Sequence, residues 1–240
     1  MKLPHRRQFL HLAAGAAALP TVSHVAKAQV YPSRPVRIIV PLPRGSSPDI
    51  RARIIAEQLT RIWGRQAFAE NRPGGGGAIG APEVLSAAPD GHTLLYAPGT
   101  LFTVLPAVKD KLPFDVNRDF IPIGLTAVAG TALGWSVLLA LRGTLPAIIH
   151  ELGEDLRKVL DDPDVRRHFE TIGGTPFQAI YTADAVRFIE REQKLWWPVV
   201  REGPKYGTVA SLTTCDPGCD LGRLPDPVME LIARTLREWS

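Results

Sequence analysis

The segment that most constrains the fold is VRIIVPLPRGSSPDIRARIIAEQL, which begins at Val36. Its first five residues form a β-branched run bounded by prolines, which predicts a buried strand of a parallel sheet. From Ile50 onward the apolar residues recur at helical spacing, with Ser47 as the expected N-cap and Arg51 off the apolar stripe. A strand that passes to a helix through a short Pro-, Gly- and Ser-rich loop is typical of an α/β fold.

Strand and helix signals continue to alternate along the chain. GRQAFAEN predicts a second strand, RPGGGGAIGAPEVLSAA a Gly-rich turn that opens a helix, and PDGHTLLYAPG a turn with a third strand. Later segments have helical spacing: LPAIIHELGEDLRKVLDDPD, PDVRRHFETIGG and YTADAVRFIEREQKLWWPVVREG. The pattern predicts an α/β fold with a mainly parallel sheet flanked by helices.

A stretch without charged residues runs from Phe120 to Leu141. It is long enough to be a candidate for a membrane-spanning helix. Pro122 and Gly124 interrupt it, and threonines dilute its hydrophobicity. We therefore expect a pair of core strands there rather than a membrane span.

The N-terminus resembles an export signal. A basic start and an apolar middle precede an Ala-Lys-Ala site, so cleavage is expected after Ala28 and the protein is expected in the periplasm. The run RRQFL, from Arg6, fits a twin-arginine signal, and an ordinary Sec signal is the alternative. The signal holds four basic residues and no acid, which accounts for the whole formal charge of +4. The mature chain is thus neutral, which argues against nucleic acid as a partner.

The loop from Pro43 to Asp49 is the strongest candidate for a binding site. It precedes a helix whose first N–H groups lack intrahelical partners, and the helix dipole favours an anion there. In open α/β sheets, ligands bind beyond the carboxyl ends of the strands. A small carboxylate fits both conditions. The alternative is that the loop merely connects strand and helix.

Other chemistry has weaker support. Gly75, Gly77 and Gly80 match a dinucleotide fingerprint, but the next strand lacks the acid that would bind the ribose. No histidine pair has the spacing of a metal site, so neither cofactor nor metal is expected. Cys215 and Cys219 could form a disulfide, bind metal or do neither, and an oxidising compartment favours the disulfide.

Several motifs together resemble one known family. YPSRPVRIIVPLPRGSSPDIRARIIAEQL, AENRPGGGGAIGAPEVLSAAPDGHTLLYA and KLPFDVNRDFIPIG are similar, in order and spacing, to the Bug-type substrate-binding proteins of tripartite tricarboxylate transporters. RGTLPAIIHELGEDLRKVLDDPDVRRHFETIGGTPF and FIEREQKLWWPVV resemble that family's closing helices. The resemblance covers roughly residues 1–200, in two blocks.

The resemblance implies a non-enzymatic periplasmic receptor that clamps a small mono- or dicarboxylate between two α/β lobes and delivers it to a membrane permease. The ligand would contact three loops. The residues implied are Pro43, Arg44, Gly45, Ser46, Ser47, Asp49, Gly75, Gly76, Gly77, Gly99 and Thr100.

The chain departs from the family pattern in its second half. The expected organisation is a signal at 1–28, a first lobe at 29–128, a junction at 129–143 where most of the second lobe is absent, closing helices at 144–204 and a divergent tail at 205–240. The surface left by the missing lobe could drive self-association. The alternatives are a truncated paralogue that binds no ligand and a dinucleotide-dependent oxidoreductase.

Overall fold

The fold was analysed in a computed structural model, which describes residues 31–109, 111–129, 134–177 and 181–201. All of these belong to one compact unit, Tyr31–Ser240. The expected signal peptide, the divergent tail and the cysteine pair lie outside the described residues.

Six strands and eight α-helices are described, together with a 3₁₀ turn at Gly75–Gly77. The strands are β1 (Val36–Val40), β2 (Ala67–Asn71), β3 (Thr93–Pro98), β4 (Phe120–Ala129), β5 (Trp135–Leu141) and β6 (Gly174–Pro176). The helices are α1 (Ser47–Trp63), α2 (Gly80–Leu85), α3 (Thr100–Thr103), α4 (Leu105–Val108), α5 (Val116–Asp119), α6 (Pro146–Asp161), α7 (Pro163–Thr171) and α8 (Thr182–Arg201).

The strands form one sheet in the order β2-β1-β3-β5-β4-β6. The α/β class is confirmed, but the prediction of a mainly parallel sheet is wrong. β1 is parallel to β2 and β3, whereas the β3–β5, β4–β5 and β4–β6 pairs are antiparallel. β4 and β5 follow each other after only a few residues, too few for the crossover that parallel strands need.

The strand directions bring many loops to one end of the sheet. β1, β2 and β3 finish there, and β5 begins there, because Ser136 pairs with Pro98 at the end of β3. Trp135 in turn pairs with Val128, and Ala129 pairs with Gly174. We call this end, with the loops after β1, β2 and β3 and the first residues of β5 and β6, the carboxyl edge.

Helices cover both faces of the sheet. Ile38 and Val40 of β1 face α1, α6 and α7, whereas Ile39 faces the opposite layer of α2 to α5 and α8. Both layers are largely buried, so alternate residues of the same strand serve two different cores. The described residues therefore form a three-layer α/β unit with one sheet.

The buried face of α1 differs from the predicted stripe. Ile50 and Ile62 are 36% and 41% exposed. Ala52, Ala56 and even Arg51 are buried. The two alanines lack bulk and let the helix approach the sheet closely. The alanines, together with the fully buried Ile55, thus mark the face that packs.

The uncharged stretch from Phe120 to Leu141 contains the antiparallel strands β4 and β5, as expected. Tyr96 of β3 and Thr126 of β4 share a buried hydrogen bond of 2.8 Å, which gives the polar threonine a partner in this core. Within the described part of the chain, no helix is both long and apolar enough to span a membrane.

Candidate functional site

The loop between β1 and α1 turns sharply at the carboxyl edge. Ser46 is the N-cap of α1, with extended backbone angles, and its hydroxyl donates to the Pro43 carbonyl oxygen over 2.8 Å. Ser47 is therefore the first helical residue, and its prediction as the N-cap is wrong by one position. Gly45 has a φ of +84°, a conformation that glycine adopts without strain.

Asp49 holds this loop in place. Its carboxylate accepts hydrogen bonds from the Gly45 N–H at 2.8 Å, from Asn71 Nδ2 at 2.8 Å and from Arg53 Nε at 3.2 Å. Burial alone would raise the pKa of Asp49, but these three donors outweigh it, and the pKa lies below its ordinary value. The carboxylate is thus occupied by the chain itself, which revises its predicted role from contacting a ligand to positioning the loop.

The N–H groups at the start of α1 remain available. Neither Ser47 nor Asp49 has an acceptor for its N–H among the described residues, and Pro48 carries no N–H. Ser47 and Arg44 are exposed. The helix start combines unpaired donors with the positive end of a 17-residue dipole, an arrangement that can bind an anion.

The Gly-rich turn after β2 packs against the other loops. Gly75, Gly76 and Gly77 all have positive φ, which explains the run of glycines. A Cβ on Gly77 would lie 2.5 Å from Leu101 Cδ1 and 3.7 Å from Pro41 Cβ. The turn after β2 therefore touches both the start of the first loop and the helix that follows β3.

The loop after β3 completes this group. The Gly99 N–H donates to the Trp135 carbonyl oxygen over 2.7 Å, and the Trp135 ring leaves no space for a side chain on Gly99. Gly99 is buried and Thr100 is half-buried at the start of α3. Of this pair, Thr100 alone keeps side-chain surface that solvent can reach.

The predicted residues are thus brought to one edge, with Arg53 and Asn71 as supports that sequence reasoning missed. Arg53 follows Asp49 by four residues, a spacing that indicates a helical ion pair. One cleft, of about 460 Å³, lies elsewhere, between α4, α5 and α8, where Lys109 and Trp197 are among its lining residues.

The glycines of the predicted dinucleotide fingerprint lie in contacts between loops. The described residues contain no cluster of three His, Cys, Asp or Glu side chains that could hold a metal ion. At the Gly-rich turn, Leu101 occupies the space beside Gly77, and Pro41 lies against Gly80. The close backbone approach that these glycines allow serves packing between loops.

The model of the tripartite tricarboxylate transporter family receptor matches residues 51–133, which include β2, β3 and β4. Residues 51–133 are thus similar to this receptor family. A UPF0065 protein of Bordetella bronchiseptica is 43% identical over 98 residues, 41% of this chain and 29% of the relative. Protein BugT of Bordetella pertussis is 35% identical over 99 residues, which are 41% of this chain and 30% of BugT. The chain spans about a third of the length of these relatives.

Solved structures share the fold of this chain at low sequence identity. The periplasmic binding protein BugD superposes with a TM-score of 0.66 and 16% identity, covering 72% of this chain and 99% of BugD. MatC from Rhodopseudomonas palustris, solved with bound malate, gives a TM-score of 0.64 and 18% identity over 71% of this chain and all of MatC. These likenesses establish a periplasmic-binding-protein fold.

Proposed function

We propose that this chain is an exported, periplasmic, non-enzymatic solute-binding protein for a small mono- or dicarboxylate. The ligand's carboxylate would lie on the β1–α1 loop, against the N–H groups of Ser47 and Asp49. Pro43, Arg44, Gly45 and the hydroxyls of the loop would surround it. The observation that supports the proposal is that the N–H groups at the start of α1 have no acceptor among the described residues, at an edge where three loops meet.

The remaining predicted residues would contribute to the site in different ways. Gly75, Gly76 and Gly77 shape the adjacent wall, and Thr100 offers a half-buried hydroxyl group beyond it. Gly99 acts indirectly, since it is covered by Trp135. Support for a carboxylate ligand also comes from two similar structures, one solved with adipate and one with malate.

A membrane permease of the tripartite tricarboxylate type would receive the ligand. The described residues offer only one side of a cleft, and ligands are usually buried on most of their surface. A second copy of the chain covering the open edge would supply the other side. The same one-sidedness favours the competing candidate, a paralogue that retains the fold and binds nothing.

A thermal melt of residues 29–240 with and without millimolar carboxylates, amino acids or NAD tests the proposal. A ligand at a hundred times its Kd stabilises the native state by about 2.7 kcal/mol. For a chain of this size, that corresponds to a rise of about 5–10 °C in the midpoint. We expect one class of carboxylate to produce such a rise.

The panel separates the candidates. A cooperative melt that no compound shifts would support the non-binding paralogue and overturn the receptor. A shift with NAD alone would favour the oxidoreductase. Repeating the melt over a range of protein concentrations tests self-association, because the midpoint of an assembling protein rises with concentration.

A further inference from the structure

Arg51 is a buried cation, and two of its three side-chain nitrogen atoms lack an acceptor among the described residues. Its side chain is 3% exposed, and its Nε and Nη1 atoms have no hydrogen-bond partner within the described ranges. Arg53, two residues later, is bound to Asp49 and Asn71. A buried charge without a partner is costly, so its presence calls for an anion that completes the arrangement.

The position of Arg51 on α1 directs it to the candidate site. Arg51 lies four residues after Ser47, so the two residues share one face of the helix. Side chains on a helix lean toward its N-terminus, which aims the long Arg51 side chain at the turn that carries the unpaired N–H groups. Arg51 and Ser47 therefore lie on the same side of α1.

Contacts across the sheet place the guanidinium at the carboxyl edge. It lies directly over Gly174, the first residue of β6, where a Cβ would collide with Nη1. The φ of Gly174 does not lie in the left-handed region, so its backbone does not require glycine. Gly174 instead provides the space in which the Arg51 side chain reaches the edge.

We propose that Arg51 is the cationic anchor of the carboxylate site, binding the anion together with the N–H groups of Ser47 and Asp49. This inference rests on the proposed function and adds a residue to it. Guanidinium groups bind carboxylates through strong charge-assisted hydrogen bonds.

The test compares R51M with the wild type in the same melt and by isothermal titration with the carboxylate that shifts the wild type. Methionine keeps much of the apolar stem and removes the charge. Without ligand, we expect R51M to melt at the wild-type temperature or above it, since an unpaired buried charge has been removed. With ligand, we expect the affinity to fall by about tenfold or more.

A structural role for Arg51 predicts the opposite pattern. R51M would then melt at a lower temperature without ligand and would bind the carboxylate as tightly as the wild type, and that result would overturn the inference. R61M is the matched control, because Arg61 lies on the same helix in an exposed pair with Glu57. It should leave the affinity unchanged.

A second variant tests the geometry without altering the charge. G174A pushes the guanidinium away from the edge, and we expect it to weaken carboxylate binding while Arg51 is still present. Equal affinities for G174A and the wild type would contradict the placement. If no carboxylate shifts even the wild type, the proposed function itself fails, which is distinguishable from the failure of Arg51 alone.

Discussion

The Gly45 N–H and the Asp49 carboxylate close the β1–α1 loop through a hydrogen bond of 2.8 Å. The bond spans four residues and fixes a glycine with a φ of +84° at the entrance of the helix. Since Asp49 also binds Arg53 and Asn71, one buried carboxylate connects the loop, the helix and β2. The shape of the candidate site therefore depends on this residue.

The first prediction concerns D49N. The amide presents an NH2 group to donors that need an acceptor. We therefore expect the free energy of unfolding to fall by about 1–3 kcal/mol. Denaturation with urea measures the change. E57Q is the control, because Glu57 forms an exposed pair with Arg61 on the same helix and should change stability by less than about 0.5 kcal/mol. Equal losses for both variants would contradict the role given to Asp49.

The second prediction is a pH dependence. The pKa of Asp49 is lowered in the folded protein, so its stabilising contribution is complete above the unfolded pKa, near the ordinary value of 3.8. It is lost as the pH falls through the folded pKa. We expect the stability difference between the wild type and D49N to be constant above about pH 5 and to shrink below about pH 4.

Urea denaturation of both proteins at a series of pH values measures this difference. A difference that grew on acidification would mean that the carboxyl is held in its protonated form.

The third prediction concerns the Gly-rich turn. G77A must place a side chain at a φ of +105° and against Leu101. We therefore expect the free energy of unfolding to fall by about 2–4 kcal/mol. G64A is the control, since Gly64 has a φ of +60° with nothing within 4 Å of its Cβ position. The free energy of unfolding of G64A should fall by only about 1 kcal/mol.

The double variant G77A/L101A separates the two causes. Removing the leucine side chain relieves the contact but not the backbone strain, so the effects of the two changes should not add. Strict additivity would show that Leu101 plays no part.

The fourth prediction isolates a single backbone donor. S47P removes the Ser47 N–H at the first helical position, where proline is well accommodated and the extended Ser46 suits a following proline. We expect the midpoint of the ligand-free protein to stay the same or rise, and carboxylate affinity to fall by about tenfold. Titration calorimetry measures the affinity, with S47A as the variant that keeps the N–H.

An S47P protein that binds like S47A would move the ligand away from the start of α1. An S47P protein that melts well below the wild type would instead report a damaged loop.

Local signals were sufficient for most elements of this fold. The β-branched run of β1 and the helical spacing of α6 and α7 need only neighbouring residues to be recognised. The antiparallel half of the sheet depends on which distant strands pair, as when Leu139 of β5 meets Leu95 of β3. Such pairing between strands far apart in sequence is decided by the packing of the whole unit.

The site was predicted less completely than the fold. The loop after β1 is visible in the sequence because its proline, glycine and serines are turn residues beside a strand. Burial of Asp49 is not visible, since an acid in the first turn of a helix usually complements the dipole at the surface. Arg51 was missed because the apolar stripe predicted from Ile50 and Ile62, both of which are exposed, placed it off the buried face of α1.

The pairing of Val128 with Trp135 has a consequence for protein engineering. The two residues lie on neighbouring strands, which are spaced about 4.8 Å apart. A polypeptide inserted between them would have both its ends at one point, a geometry that suits the grafting of a whole domain. The sheet could thus serve as an acceptor scaffold for a lobe transplanted from one of the longer relatives.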